Sequence, residues 1–239
     1  MSKPFHFKHF SINQDRCAMK IGTDGVLLGA WASLEHQPES ILDIGTGTGL
    51  IALMLAQRSS AEVIDAIEID DDSYEQAFEN FENSDWNDRL FCYHSGFEDF
   101  AREMSDDLKY DLIISNPPFY SEDYLTNDPR RDQARFKHSL PFENLLSGVV
   151  LLLSPKGKFN VIVPEKEERI LIRQAEATNL YPHRITRVKG TPTSEIKRSL
   201  IEFGAEKKYG KSQILILENS RHNYTPEFTA LAKDFYLKI

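Results

Sequence analysis

Between residues 40 and 178 short apolar runs alternate with longer runs of helical spacing, and that alternation limits the possible folds more than any other feature of the chain. Ser40–Ile44, Glu62–Ile69, Leu90–His94, Tyr110–Ser115 and Gly157–Val163 read as strands. Leu50–Ala56, Asp72–Asn83, Glu98–Met104, Leu140–Leu153 and Lys166–Thr178 read as helices; in the second of these Tyr74, Ala77, Phe78 and Phe81 recur at helical spacing. Apolar strands separated by helices form a mainly parallel sheet covered on both faces. Strand-like runs near Arg184–Val188, Ser199–Phe203 and Gln213–Leu217 lack a long helix between them. They predict an antiparallel hairpin at one edge, with a tail helix after Pro226.

Ligands in such sheets sit outside the carboxyl ends of the strands. Gly45–Gly49, Glu68–Asp70, His94–Phe97 and Asn116–Phe119 each follow a strand-like run and are expected to converge there. The first, Gly45-Thr46-Gly47-Thr48-Gly49, is a glycine loop that permits a tight turn and close approach of backbone to ligand. Position 50 is Leu, so the spacing is G-x-G-x-G and not the G-x-G-x-x-G of dinucleotide sites. Asp43 ahead of the loop would repel a diphosphate. A ligand with a cationic or zwitterionic end suits this loop, and S-adenosylmethionine has one. Glu68 closes the next strand about 20 residues on, where a carboxylate can accept a ribose diol. Asp43, Gly45, Gly47 and Glu68 are therefore cofactor-binding candidates. Gly96 stands where an acid often meets the adenine. Phe97 packs either on an adenine ring or in the core, and Glu98 or Asp99 is available as the carboxylate.

Asn116-Pro117-Pro118-Phe119 carries the chemistry. Methyl transfer from a sulfonium is a direct displacement that needs an amino group aimed at the methyl carbon. The Asn116 side-chain carbonyl and the Pro117 backbone carbonyl can each accept an N–H from a conjugated amino group, drawing its lone pair out of the ring system. Prolines stiffen the loop, and Phe119 offers a face on which a base can stack. Asn116, Pro117 and Phe119 are the catalytic candidates, with Asn116 also beside the cofactor.

These residues resemble the class I methyltransferases with an Asn-Pro-Pro-aromatic motif. Phe7-Lys8-His9-Phe10, the run from Gln14 to Trp31 (QDRCAMKIGTDGVLLGAW) and Ala134–Pro141 (ARFKHSLP) are similar to the bacterial tRNA(1)(Val) (adenine(37)-N6)-methyltransferase family. The resemblance implies the Rossmann-like class I methyltransferase fold: a mainly parallel seven-stranded sheet with helices on both faces and an antiparallel edge strand. It implies S-adenosyl-L-methionine as cofactor and N6 of an adenine in tRNA, adenine 37 of a valine tRNA, as target. It divides one methyltransferase domain, 1–239, into an N-terminal extension, 1–35, lining the cofactor site, and a core, 36–239. By the same likeness Lys20, Thr23 and Asp24 meet the methionine end of the cofactor; Thr23 or Asp24 can also cap the run Val26–Trp31.

The chain has 37 acidic and 28 basic residues, a net charge of −9, so RNA has to meet a local basic patch on an acidic body. Arg130, Arg131, Arg135, Lys137 and His138 form such a patch just after the catalytic stretch, with Tyr120 and Tyr124 as stacking rings. Tyr120, Arg130, Arg131, Arg135 and Lys137 are the RNA-contact candidates. Two further clusters are Arg184, Arg187, Lys189, Lys197 and Arg198, and Lys207, Lys208 and Lys211; the last reads as solvated charge. Two distant cysteines, Cys17 and Cys92, suggest neither a disulfide framework nor a metal site. The first ten residues lack the apolar core of a signal peptide, and no run approaches a membrane span. A cytoplasmic monomer is the expectation. Guanine N2 in ribosomal RNA and the glutamine N5 amide of a protein stay open as alternative targets. A nicotinamide dehydrogenase does not fit the loop spacing.

Overall fold

The computed structural model of the protein describes residues 3–118 and 140–239. Phe119, Tyr120, Arg130, Arg131, Arg135, Lys137 and His138 lie outside the described residues.

The strands and helices of the core follow the sequence pattern closely. After a short hairpin, β1 (Phe5–His6) and β2 (Ser11–Ile12), come α1 (Thr23–Trp31), β3 (Ser40–Ile44), α2 (Leu50–Arg58), β4 (Val63–Glu68), α3 (Asp71–Glu82), β5 (Leu90–His94), α4 (Phe97–Met104) and β6 (Tyr110–Ser115). Then follow α5 (Phe142–Leu152), β7 (Leu153–Pro164), α6 (Glu165–Ala177), β8 (Tyr181–Lys189), β9 (Ile196–Gly204), β10 (Lys211–Ile216), a small hairpin of β11 (Glu218–Ser220) and β12 (Asn223–Tyr224), and α7 (Pro226–Ala232). The tail helix has Thr225 as N-cap, its hydroxyl accepting from the Phe228 amide, and Pro226 at its start, where the missing N–H is no loss.

The main sheet runs β10-β8-β9-β7-β6-β3-β4-β5. β3, β4, β5, β6 and β7 are mutually parallel; β9 is antiparallel to both its neighbours, β7 and β8. The sheet thus has eight strands where seven were expected. β10 adds to the far side of β8 in parallel register from Lys211↔Arg184 to Ile216↔Lys189. The antiparallel strand is not the edge strand: β9 folds back into the space beside β7 and leaves β8 outside it. A short turn can join β8 to β9 only if they are antiparallel, and β9 has the longer apolar run to bury, with Ser199 to Gly204 all buried.

Strand residues alternate between two cores. On one face Ile41, Leu112, Ile114 and Leu200 pack with α1, α2 and α7; on the other Leu42, Ile113, Phe159, Val161 and Ile201 pack with α4, α5 and α6. This period-two division is why the strand runs read as nearly continuous apolar stretches.

The glycine loop joins β3 to α2 with Gly45, Gly47 and Gly49 at φ of +69°, +57° and +81°. Gly49 is the most constrained. A Cβ there would lie 2.5 Å from the Phe81 ring of α3, whereas Gly45 and Gly47 face open space. Gly49→Ala therefore combines left-handed strain of about 1–2 kcal/mol with overpacking of about 1–3 kcal/mol. The expected result is a melting temperature lower by roughly 5–15 °C, read by circular dichroism; an unshifted melt would show that α3 yields freely to the loop.

Candidate functional site

The loops after β3, β4, β5 and β6 meet at the carboxyl edge of the sheet and enclose two adjoining cavities. The larger, of about 310 Å³, lies over Ser95, Gly96, Phe97, Glu98 and Asp99 after β5 and reaches Pro117. The smaller, of about 130 Å³, lies between Gly45, Gly47, Glu68 and Asn116 on one side and Cys17, Ala18 and Met19 on the other. Gly45, Ile69 and Pro118 border both. An elongated ligand laid across this ridge would have one end in each cavity.

Glu68 is buried and holds the centre of the site together. Its Oε2 accepts from the Gly47 amide at 2.8 Å, and its Oε1 accepts from the amides of Ile69 at 2.9 Å and Asp70 at 3.0 Å. A carboxylate has about four acceptor directions, so Oε2 keeps one for a ligand. The glycine loop is tied to β4 a second time by the Gly45 and Thr46 amides, which donate to the Ile67 carbonyl.

Asp43 lies fully buried beneath the loop and lines neither cavity. Its Oδ2 accepts from the Thr46 hydroxyl at 2.6 Å, while Oδ1 has no partner within hydrogen-bond geometry among the described residues. Burial pushes its carboxyl up to about 7, against smaller downward effects of the Thr46 hydroxyl and the Ala52 amide. Since the unfolded chain titrates near the ordinary value of 3.8, folding takes up a proton between these values. The contribution of Asp43 to stability is then greatest below the unfolded value, falls as pH rises towards about 7, and is level above it. In thermal melts from pH 4 to 8, Asp43→Asn is expected to gain stability relative to wild type as pH rises. A constant difference across that range would refute the raised value.

The wall opposite the glycine loop comes from the N-terminal segment, and two buried side chains of α3 seat it. Asn80 accepts from the Asn13 amide at 2.9 Å and donates to the Asn13 carbonyl at 2.9 Å and the Thr48 carbonyl at 2.8 Å. Gln76 accepts from the Arg16 amide at 3.1 Å. One helix thus binds the wall and the glycine loop together. Past the wall, Arg198 donates to Asp24 at 2.7 Å. Cys17, in the wall, has its thiol pushed up to about 11 by burial, and burial pushes Cys92 up to about 12; neither is a thiolate nucleophile at neutral pH.

Lys20 and Thr23 border neither of the two adjoining cavities. The Lys20 ammonium bonds the Gln14 carbonyl, and Thr23 borders a different cavity beside the C-terminal residues. Neither Thr23 nor Asp24 caps α1; Gly22 is the N-cap, α1 begins at Thr23, and Asp24 lies within the first turn and accepts from Arg198. Phe97 packs in the core, its ring against Gly148 of α5, where a Cβ would come within 2.5 Å of it, and it also borders the larger cavity. Glu98 accepts from Asn144 at 2.7 Å and Asp99 pairs with Arg102 at 3.1 Å. Of the residues lining the smaller cavity, Ala18 and Met19 stood out only as part of the run Gln14–Trp31, and Ser73 carries no motif of its own.

The second basic cluster is largely spent on the fold. Arg184 lies 3.7 Å over the Trp31 ring and pairs with Glu202, and Arg187 grips buried Glu168 through two nitrogens at 2.6 and 2.9 Å. Among the described residues, no group of three or more His, Cys, Asp or Glu could hold a metal ion, and no helix is long and apolar enough to cross a membrane.

The methyltransferase small domain family model matches residues 25–162, the part of the chain containing both the glycine loop and Asn116. A protein of Christiangramia forsetii named tRNA1(Val) (adenine(37)-N6)-methyltransferase is 64% identical over 100% of this chain and 99% of its own length. A Bacteroides fragilis protein of the same name is 45% identical over the whole of both chains. In solved structures, an Agrobacterium tumefaciens protein described as a predicted O-methyltransferase superposes with a TM-score of 0.67 at 19% identity, over 89% of this chain and 96% of that one. The CcbJ methyltransferase of Streptomyces caelestis gives 0.58 at 12% identity, over 80% and 95%. These two establish the class I methyltransferase fold alone. Identity sustained from one end to the other is a stricter matter, since it takes in the N-terminal wall as well as the shared core, and on that ground the chain belongs to the tRNA1(Val) (adenine(37)-N6)-methyltransferase family.

Proposed function

We propose that this protein transfers a methyl group from S-adenosyl-L-methionine to N6 of an adenine in tRNA, at adenine 37 of a valine tRNA, the target in its relatives' names. The observation that carries the reading is the position of Asn116-Pro117-Pro118 where the two cavities adjoin. The residues fit the cofactor. Gly45 and Gly47 leave open space where a Cβ would stand, as close backbone approach to a ligand requires. Glu68 retains an acceptor direction for a ribose hydroxyl, and the wall at Cys17–Met19 encloses the amino-acid end. In this reading residues 1–35 are an extension of one methyltransferase domain.

When bound, S-adenosylmethionine supplies an electrophilic methyl on a sulfonium. The chain's task is to present the nucleophile. The Asn116 side-chain carbonyl and the Pro117 carbonyl accept the two N–H bonds of the adenine amino group and turn its lone pair towards the methyl carbon. Phe119 stacks on the base, which is turned out of its loop first. Tyr120, Arg130, Arg131, Arg135 and Lys137 hold the flanking RNA, phosphate contacts making the binding salt-dependent. A cytoplasmic setting goes with a tRNA substrate.

Transfer of labelled methyl to tRNA lacking the modification, followed by nucleoside analysis, tests this. Label in N6-methyladenosine of valine tRNA is the expected result. Label in N2-methylguanosine, or in a protein glutamine amide, would keep the cofactor and displace the substrate.

A further inference from the structure

We propose that a third cavity on the active-site edge of the sheet holds a nucleotide next to the methylated base. The inference rests on the RNA reading above. The cavity has a volume of about 470 Å³, a size suited to a nucleotide-sized ligand, and is bordered by Gly190 and Thr191 after β8 and by Leu217 and Glu218 after β10. β8 and β10 are parallel, and β8 runs as β7 does, both being antiparallel to β9. Their carboxyl ends therefore open to the same side as the end of β6 that carries Asn116. The N-terminal wall links the two places. Met19 borders the methionine-end cavity and Ile21 borders this one; two residues apart, their Cα atoms are separated by at most about 7 Å.

The lining has the chemistry of base recognition. Phe5, Tyr224, Phe228 and Tyr236 contribute rings, and single-stranded RNA is held largely by stacking on such rings. Tyr224 is 36% exposed, with its ring 5.4 Å from that of Phe228. The half-buried Glu218 carboxylate makes no side-chain hydrogen bond or ion pair among the described residues. A carboxylate accepts from an exocyclic amino group and repels phosphate, so the base edge enters and the backbone stays outside. Lys238 lines the cavity and is exposed, offering a positive charge to a phosphate outside it. Glu218, Tyr224 and Lys238 carried no motif and were not among the expected RNA contacts.

The test uses the full chain, unmodified valine tRNA and the variants Tyr224→Ala and Glu218→Gln. Each variant is expected to raise KM for tRNA about fivefold to tenfold, with kcat, cofactor Kd and melting temperature unchanged. An abasic site at one nucleotide flanking the target should raise the wild-type KM by a similar factor and leave Tyr224→Ala no worse. Unchanged KM in both variants, or abasic and protein effects that multiply at every flanking position, overturns the pocket. Absence of methylation of any tRNA by the wild-type protein overturns the substrate reading itself, and the pocket with it.

Discussion

Asn116→Ala is expected to lower kcat for tRNA methylation by about two to three orders of magnitude, with the dissociation constant of S-adenosylmethionine altered no more than a few-fold. Asn116 is half-buried, borders the smaller cavity, and follows directly from β6, whose last residue Ser115 is fixed by its hydroxyl to the Ile44 carbonyl at 3.0 Å. Truncation removes an acceptor without touching that anchor, so the fold should be preserved. Single-turnover transfer at saturating cofactor isolates the step. A variant with full turnover would remove Asn116 from the mechanism and leave the Pro117 carbonyl as the only described acceptor in the proposal.

Glu68→Gln is expected to weaken cofactor binding about 100-fold. The substitution is nearly isosteric, yet it replaces one acceptor oxygen by an NH₂ group. If the remaining oxygen serves Ile69 and Asp70, the NH₂ faces the Gly47 amide, donor against donor; if it serves Gly47, the other two amides lose their acceptor. Hydrogen bonds to a charged group contribute about 1.5–3 kcal/mol each. Losing one to the loop and one to the ligand gives roughly 3 kcal/mol, and each 1.4 kcal/mol is tenfold. Calorimetric titration with S-adenosylmethionine reads this directly. A dissociation constant within threefold of wild type would show that Glu68 only shapes the loop.

The core was legible because its strands are buried on both faces and its helices are periodic; Ser40–Ile44 and Tyr110–Ser115 match their expected bounds residue for residue. The position of β9 inside the sheet was not, since strand order depends on which strand has more to bury and not on local spacing. At the site, the convergence of the four post-strand loops could be read from topology. The role of Asp43 could not: an acid before a glycine loop looks the same whether it faces a ligand or lies under the loop bonded to Thr46. The seating of the N-terminal wall depends on contacts with distant chain. Asn13 and Asn80 are 67 residues apart, and Asp24 and Arg198 are 174 apart, so no window of sequence contains both partners.

That last pair has a consequence for synthesis. The glycine loop and the α3 side chains that seat its opposing wall emerge early, but the far side of the wall is fixed only when Arg198 exists to receive Asp24. At roughly 5–20 residues per second, 174 residues correspond to about 10–35 seconds of translation. Once the glycine loop has emerged, the nascent chain presents it with an unfinished wall for the rest of that interval, and tight ligand binding has to wait for Arg198.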